Sequence, residues 1–442
     1  MVRQLWKKIA SKQLSTTLIN MCLYLGTFVF LPFFPYLFSW MQNNFFSCGR
    51  LPHYIKWLKR GDFVLVAVTE NQEKFIIDSK IPHTTLRRLR EEKKFYCPQC
   101  GGPLQLKIGH IRIPHFAHIT KSRCDSTFSE GETMEHLLGK EQLFGFFRSL
   151  ELRVELESYL PELRQRPDLL VNKNDSIYAI EFQCSPIHHK RLMERNQGYL
   201  QKKIMPIWIP LTPVNKLNGT KGFQKVTLPH QLQQFACGEN GPKFLMTYDP
   251  LSKQFVYLSN LIHLKGITFF SKVIPLPLFR QHFPFYLPKS YSTDEFSKVL
   301  KAYHLFIKHF LRSRVLLSRK GVNDLFLRSV YELRLNLEHL PSFLGVPICG
   351  NEALKVCAVE WQTELMYFIG LCGIKVHAIN RAVISDFFRW SNRICTEDAL
   401  LPVLRFVRLL QELGVENAES SVKQPQLEEL LYRQFLATNV KD

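Results

Sequence analysis

The stretch RPDLLVNKNDSIYAIEFQCS, Arg166 to Ser185, constrains the fold of this chain most. It is built like a buried β-hairpin, yet it carries Asp168 before its turn and Glu181, Phe182 and Gln183 at its far end. A four-residue loop over Lys173 to Ser176 sets Asp168 opposite Glu181 on the paired strand. Strand alternation then puts Glu181 and Gln183 on one face and turns Ile180 and Phe182 into the core. Two carboxylates and an amide converge at the edge of a buried sheet. Buried like charges are costly unless a cation lies between them. A divalent ion is the simplest compensation, and oxygen ligands suit Mg²⁺ or Mn²⁺. The alternative is a solvent-facing strand end with ordinary polar residues.

The preceding segment, SEGETMEHLLGKEQLFGFF, predicts a helix from Glu132 to Leu150. Glu132, His136 and Lys140 recur every four residues and share one face, while Leu137, Leu138, Phe144 and Phe147 face elsewhere. Ser129 with Glu132 also forms the S-x-x-E capping pattern, which accounts for Glu132 without chemistry. A solvated helix face accounts equally for His136 and Lys140.

Strands are expected in LRVELESYLPELRQRPDLLV, SIYAIEFQ and IMPIWIPL, with a basic helix over His188 to Lys203. The order helix, several strands, helix, strand belongs to an α/β core. Upstream, FVLVAV and KFIID read as strands and Thr84 to Lys94 as a short charged helix. After Thr212 come a hairpin in KFLMTYDPLSKQFVYLSNL, an extended GITFFSKVIPLPLF, and helical spacing from Ser292 onward.

Between these parts lies FYCPQCGGPLQLKIGHIRIPHFAHITKSRC. Cys97 and Cys100 form a C-x-x-C knuckle, and His115, His118 and Cys124 offer three further ligands of which a tetrahedral zinc site needs two. On an extended HFAH segment the two histidines point to opposite faces, favouring His118 with Cys124; a tight turn would let His115 displace Cys124. Such a closed Zn²⁺ site is structural, so losing a cysteine costs folding rather than chemistry.

At 442 residues the chain has room for two or three domains. Its 58 Lys and Arg against 38 Asp and Glu give a formal charge of +20, which favours polyanionic partners such as nucleic acid or anionic lipid. Eleven cysteines, mostly scattered, fit a reduced cytoplasmic protein with one metal site better than a disulfide scaffold. The first 50 residues cut across that reading: Arg3, Lys7, Lys8 and Lys12 precede an uncharged run from Gln13 to Gly49 long enough for a membrane helix. Two explanations are open. Either this is a membrane anchor, or translation starts near Val64, since KRGDFV can be encoded as a purine-rich ribosome-binding stretch followed by GTG.

From about Phe63 to Leu211 the sequence resembles the competence protein CoiA family, through CPQC, PHFAH, ETMEHLLGK, RPDLLV, IEFQCSPI and RNQGYL…IWI. VEWQTEL near Trp361 is similar to the family's helical tail. The resemblance implies an α/β PD-(D/E)xK restriction-endonuclease-like core over 129–212. A small zinc-ribbon-like domain over 63–128 precedes it, and a hairpin-then-helical C-terminal region over 213–442 follows. Residues 1–62 are an apolar extension absent from the family pattern. Asp168 matches the motif aspartate, Glu181 the second acid, and Glu132 the first-helix acid that helps hold Mg²⁺ or Mn²⁺. Gln183 stands where the motif usually has lysine, and Lys140, His136 or Lys190 is the candidate replacement.

The implied function is a metal-dependent nuclease-like protein that processes DNA taken up in natural transformation, with single strands as the expected substrate. Recombinase and recombination mediator proteins are the expected partners. Lys190, Arg191, Arg195, Lys202 and Lys203 are expected to track the DNA backbone, with Lys308, Arg312, Arg314, Arg319 and Lys320 as a second basic run. A catalytically weak DNA-binding recombination accessory and a membrane-anchored uptake component are the competing readings.

Overall fold

Asn174 and Asp175 both adopt left-handed backbone, with φ of 46° and 61°, and close the hairpin in a two-residue turn. Asn and Asp tolerate that conformation, and it matches the twist of the flanking strands. The turn is two residues shorter than the expected loop, but shortening it symmetrically leaves the register unchanged. Pairing runs from Lys173↔Ser176 to Leu169↔Ile180, so Asp168 follows directly opposite Glu181.

These strands belong to a computed structural model that describes residues 63–78, 80–109, 113–119, 133–213, 221–238 and 241–436. The expectations for residues 1–62, Cys124, Ser129 and Glu132 lie outside the described residues. No described helix is long and apolar enough to cross a membrane.

The central layer follows the expected order. Helix α2 (Met134–Ser149) leads into strands β7 (Arg153–Leu156), β8 (Leu169–Lys173) and β9 (Ser176–Gln183), then helix α3 (His189–Gln201) and β10 (Ile204–Pro210). The sheet order is β10-β9-β8-β7, antiparallel except for the parallel β9–β10 pair. Thr133 caps α2 by accepting the His136 N–H, so the helix begins two residues after the expected Glu132. The long segment between β7 and β8 is mostly a turn, tied by a bridge between Leu160 and Gln165, rather than continuous strand.

Strand β9 is covered on both sides, so Ala179, Ile180, Glu181 and Phe182 are all buried. On one side α2 approaches so closely that a Cβ on Gly139 would lie 2.1 Å from the Phe182 ring. On the other, Tyr199 of α3 packs with Ala179 and Ile204. The solvent-facing reading of this strand end therefore fails.

Before this layer, six antiparallel strands form a small sheet in the order β1-β6-β5-β4-β2-β3. They are β1 (Phe63–Val64), β2 (Val66–Thr69), β3 (Lys74–Ile76), β4 (Phe95–Tyr96), β5 (Pro103–Lys107) and β6 (His115–His118), with helix α1 (His83–Glu92) between β3 and β4. Phe95, Phe116 and Leu86 anchor its core, while Leu65 and Val66 are buried with the central layer.

After it, β11 (Gly222–Thr227), β12 (Leu245–Asp249), β13 (Gln254–Lys265) and β14 (Thr268–Pro277) form an antiparallel sheet in the order β11-β14-β13-β12. Thr212 N–H donates to Tyr248 O at 3.0 Å, and Phe182, Tyr248, Phe255 and Tyr257 share one core. The apolar interior thus continues past residue 212 into this sheet.

The C-terminal helices begin with Thr293–Leu317, capped by a reciprocal Ser292 and Glu295 box. In VEWQTEL the buried Trp361 donates to Asn351 Oδ1 at 2.6 Å, and Gln362 Oε1 accepts the N–H groups of Gly345 and Val346. This motif holds the helical region together.

Candidate active site and metal-binding cluster

Asp168 and Glu181 face each other across β8 and β9 but are engaged from opposite sides. Asp168 Oδ2 accepts the Phe182 N–H at 2.8 Å and lies 3.1 Å from His136 Nε2, while its Oδ1 is 3.9 Å from Lys140 Nζ. Helical spacing brings His136 and Lys140 to the same acid, as the shared face predicts. Glu181 Oε1 accepts from Arg195 and Tyr199, which are spaced four apart on α3. Arg195 also lies 5.3 Å from the Trp208 ring, and Trp208 donates to Asn196 at 2.7 Å.

The two acids are pushed apart electrostatically. Burial disfavours the charge on Asp168, but His136, Lys140 and the Phe182 N–H outweigh it and hold the carboxyl well below the usual range. Burial pushes Glu181 up to about 7 against the pull of Arg195, and the Asp168 charge adds to the rise. Burial and the Glu181 charge raise Tyr199, keeping its hydroxyl protonated as a donor. One carboxylate stays charged while the other is poised near neutrality, the division expected of paired acids with different tasks.

The donor set fits a hard divalent cation. Among the described residues, Asp168 Oδ1 and Glu181 Oε2 receive no hydrogen bond, and both lie at the same end of the sheet. They are oxygen donors of the kind Mg²⁺ and Mn²⁺ prefer. The third acid implied by the resemblance, Glu132, lies outside the described residues.

Other expected site residues are placed differently. Lys140 is fully buried and bonded to Glu157, so it can act on Asp168 but does not reach a substrate. Gln183 lies on the Glu181 face but donates its amide to Ser185 O at 2.6 Å. Arg195, expected on the DNA backbone, is 7% exposed and paired with Glu181. Arg314 likewise joins Asp324 and Glu360 in a structural ion pair. Lys190, Lys202 and Lys203 are exposed and Arg191 partly so; Lys202 pairs with Glu162. Lys308, Arg312, Arg319 and Lys320 are exposed as well.

Sequence reasoning missed Glu157 and Tyr199. Glu157 lies just past a strand reading as alternating RVEL, with no motif to mark it. Tyr199 was detectable from its four-residue spacing to Arg195 inside RNQGYL.

In the N-terminal sheet, Cys97, Cys100 and His118 bring their ligand atoms within 4.8 Å of one another. Gly101, with φ of 67°, allows the tight turn, and Gly102 N–H donates to Cys100 Sγ at 3.4 Å. The Cys100 Sγ to His118 Nε2 distance is 3.4 Å. A tetrahedral zinc with ordinary Zn–S and Zn–N bonds sets such an edge at about 3.6 Å. His115 is not in the set: on the opposite face of β6, it is buried against Phe63, its Nδ1 2.9 Å from Ile113 O. Cys124, the expected fourth ligand, lies outside the described residues.

Two family models match this chain: the competence protein CoiA nuclease-like domain over residues 132–290 and the CoiA N-terminal domain over 79–127. The first match covers the central layer and continues through the β11–β14 sheet. Competence protein CoiA of Bacillus subtilis (strain 168) is 27% identical over 280 residues, covering 63% of this chain and 73% of that protein. No solved structure matches. Both domain models fall in sequence order, and the acid pair lies on the sheet that the first of them covers, so the chain is similar to the competence protein CoiA family over its N-terminal and nuclease-like domains.

Proposed function

We propose that this protein is a Mg²⁺- or Mn²⁺-dependent nuclease that processes DNA taken up in natural transformation and promotes its recombination. The observation that carries the reading is the pair of open oxygens, Asp168 Oδ1 and Glu181 Oε2, on facing strands beside His136 and Lys140. Asp168 and Glu181 would hold the ion, with Glu132 as a third ligand. When bound, the ion supplies Lewis-acid activation of a phosphodiester and of a water.

The chain's own residues do the rest. Lys140 keeps Asp168 ionised without touching the substrate, and Arg195 with Tyr199 fixes the Glu181 carboxyl in place. His136, whose side chain is 17% exposed, holds a proton at Nε2 within reach of the site. It replaces the missing lysine better than Lys140 does, because it has access. Lys190, Arg191, Lys202 and Lys203 on and after α3 bind the phosphate backbone. A structural zinc on Cys97, Cys100 and His118 maintains the N-terminal sheet. The resemblance to CoiA supports a single-stranded substrate passed to recombinase and mediator proteins, and a cytoplasmic location.

A second reading, a DNA-binding recombination accessory without cleavage, draws on Gln183, whose amide is turned away to Ser185 O. Cleavage of single-stranded DNA by the purified protein in Mn²⁺, compared with Asp168→Ala and Glu181→Ala, separates the two. Loss of at least about a hundredfold in both variants is expected, the scale on which removing one electrostatic catalytic group acts. Equal cleavage by all three sinks the nuclease reading; binding without cleavage by any of them establishes the accessory.

A further inference from the structure

Lys140 has a second carboxylate partner that the nuclease reading leaves unused. Glu157, 4% exposed, accepts from Lys140 through Oε1 and from the Leu65 N–H through Oε2, the latter at 3.0 Å. Its own N–H donates to Asp168 O at 2.9 Å. Its backbone is left-handed, with φ of 49°, a conformation that a residue with a side chain adopts at a cost. Both carboxylate oxygens and the backbone N–H are therefore committed, one to the N-terminal domain and two to residues of the acid site.

The charges explain why such a residue is needed. Lys140 Nζ is 3.9 Å from Asp168 Oδ1, the oxygen left open for a divalent ion. Without Glu157, Asp168 would be the one described carboxylate beside this buried ammonium, which would close that gap and occupy the oxygen. Glu157 draws Lys140 the other way, so that Lys140 stabilises the ionised Asp168 from a distance and leaves Oδ1 free. The Leu65 N–H, delivered where β1 passes into β2, fixes Glu157 in that position.

We infer that Glu157 is a positioning residue of the acid site: it restrains Lys140 so that Asp168 Oδ1 stays open to a divalent cation, and the N-terminal domain completes this restraint through Leu65. The inference rests on the reading of Asp168 and Glu181 as ion ligands. It adds a residue that no motif of the sequence marks and makes the N-terminal domain part of the site.

The test is Mn²⁺ binding to the purified full chain, followed by the electron paramagnetic resonance signal of free Mn²⁺ and without DNA. Binding that is lost in Asp168→Asn defines the site. Glu157→Gln keeps an acceptor for Leu65 but no longer balances Lys140, and should weaken Mn²⁺ binding about tenfold, the effect of one nearby positive charge partly screened. Glu157→Asp should restore most of the affinity, and Lys140→Met combined with Glu157→Gln should restore it too by removing the competing cation. A merely structural role predicts the reverse for that pair, since the double variant would be at least as damaged as the single one. Unchanged Mn²⁺ affinity in folded Glu157→Gln, or no recovery in the folded double variant, overturns the inference. A wild-type protein that binds Mn²⁺ but never cleaves DNA overturns the nuclease reading alone. One that binds no Mn²⁺ at this site overturns both.

Discussion

The Cys97, Cys100 and His118 cluster and the Asp168 and Glu181 pair both offer metal ligands, but they are assembled in opposite ways. At the first, the turn from Cys97 to Gly102 and strand β6 bring two thiols and an imidazole together. At the second, each acid is already engaged by side chains of the protein itself: Asp168 by His136 and Lys140, Glu181 by Arg195. A metal at the first site would complete the fold around it, whereas one at the second would share its carboxylates with the resident positive charges of Lys140 and Arg195. The difference suits a structural ion at the first site and an exchangeable one at the second, because only at the second do side chains of the protein itself hold the acids in place without an ion.

Removing the metal from the first site should therefore have the largest effect. Cys97→Ser is expected to abolish bound zinc, measured by elemental analysis, and to unfold the N-terminal sheet, measured by loss of its slow amide exchange. Structural zinc contributes about 10 kcal/mol or more in small zinc domains, far above what that sheet's core can replace. Undiminished protection in the metal-free variant would erase the contrast between the sites.

Breaking the second site from within comes next. Arg195→Met keeps the bulk over Trp208 but leaves Glu181 buried without its cation. Removing one partner of a buried pair costs about 3–5 kcal/mol, read as a lower urea midpoint. Glu181→Gln should recover much of that loss in the double variant, because the stranded charge is then gone. A loss below about 1 kcal/mol for Arg195→Met would place the pair in the class of surface ion pairs.

The pH dependence is smaller and has a defined sign. Glu181 rises from an ordinary value of 4.5 to about 7 in the folded protein, so the folded state binds its proton more tightly than the unfolded state does. Its contribution to stability is complete below pH 4.5 and is lost as pH rises through about 7. Asp168, held low, acts in the opposite sense: its contribution is present above its unfolded value and disappears in strong acid. Urea midpoints measured from pH 4.5 to 8 should fall with rising pH, and Glu181→Gln should flatten that slope. A slope unchanged in Glu181→Gln would assign the titration to another group.

How much of this was legible depended on whether a residue's role is set by local spacing or by tertiary placement. Asp168 opposite Glu181 followed from strand alternation and symmetric loop counting, which survived the wrong loop length. His136 and Lys140 sharing a face followed from the helical period. Arg195 was misread because a basic helix looks solvated in sequence, and only the covering of β9 by α3 shows that this face turns inward. Glu157 was invisible because its importance comes from a lysine 17 residues upstream and an N–H 92 residues upstream. His115 was separable from His118 by strand parity alone, whereas the choice of a fourth ligand rested on a residue outside the described ones.

The same helix that hides Arg195 exposes Lys190, and Lys202 and Lys203 follow it, which sharpens the contrast between charges used inside and those left for a partner. Replacing all three with alanine should leave stability within about 0.5 kcal/mol, as expected of surface positions with at most weak ion pairs. Binding to single-stranded DNA should weaken, and the slope of log affinity against log salt should fall by about 0.7 for each phosphate contact removed. Arg195→Met should do the opposite, lowering stability with little change in that salt slope. If the triple variant keeps its salt slope while Arg195→Met loses it, the inward and outward assignments are exchanged, and the DNA path runs over the acid site rather than along the exposed face of α3.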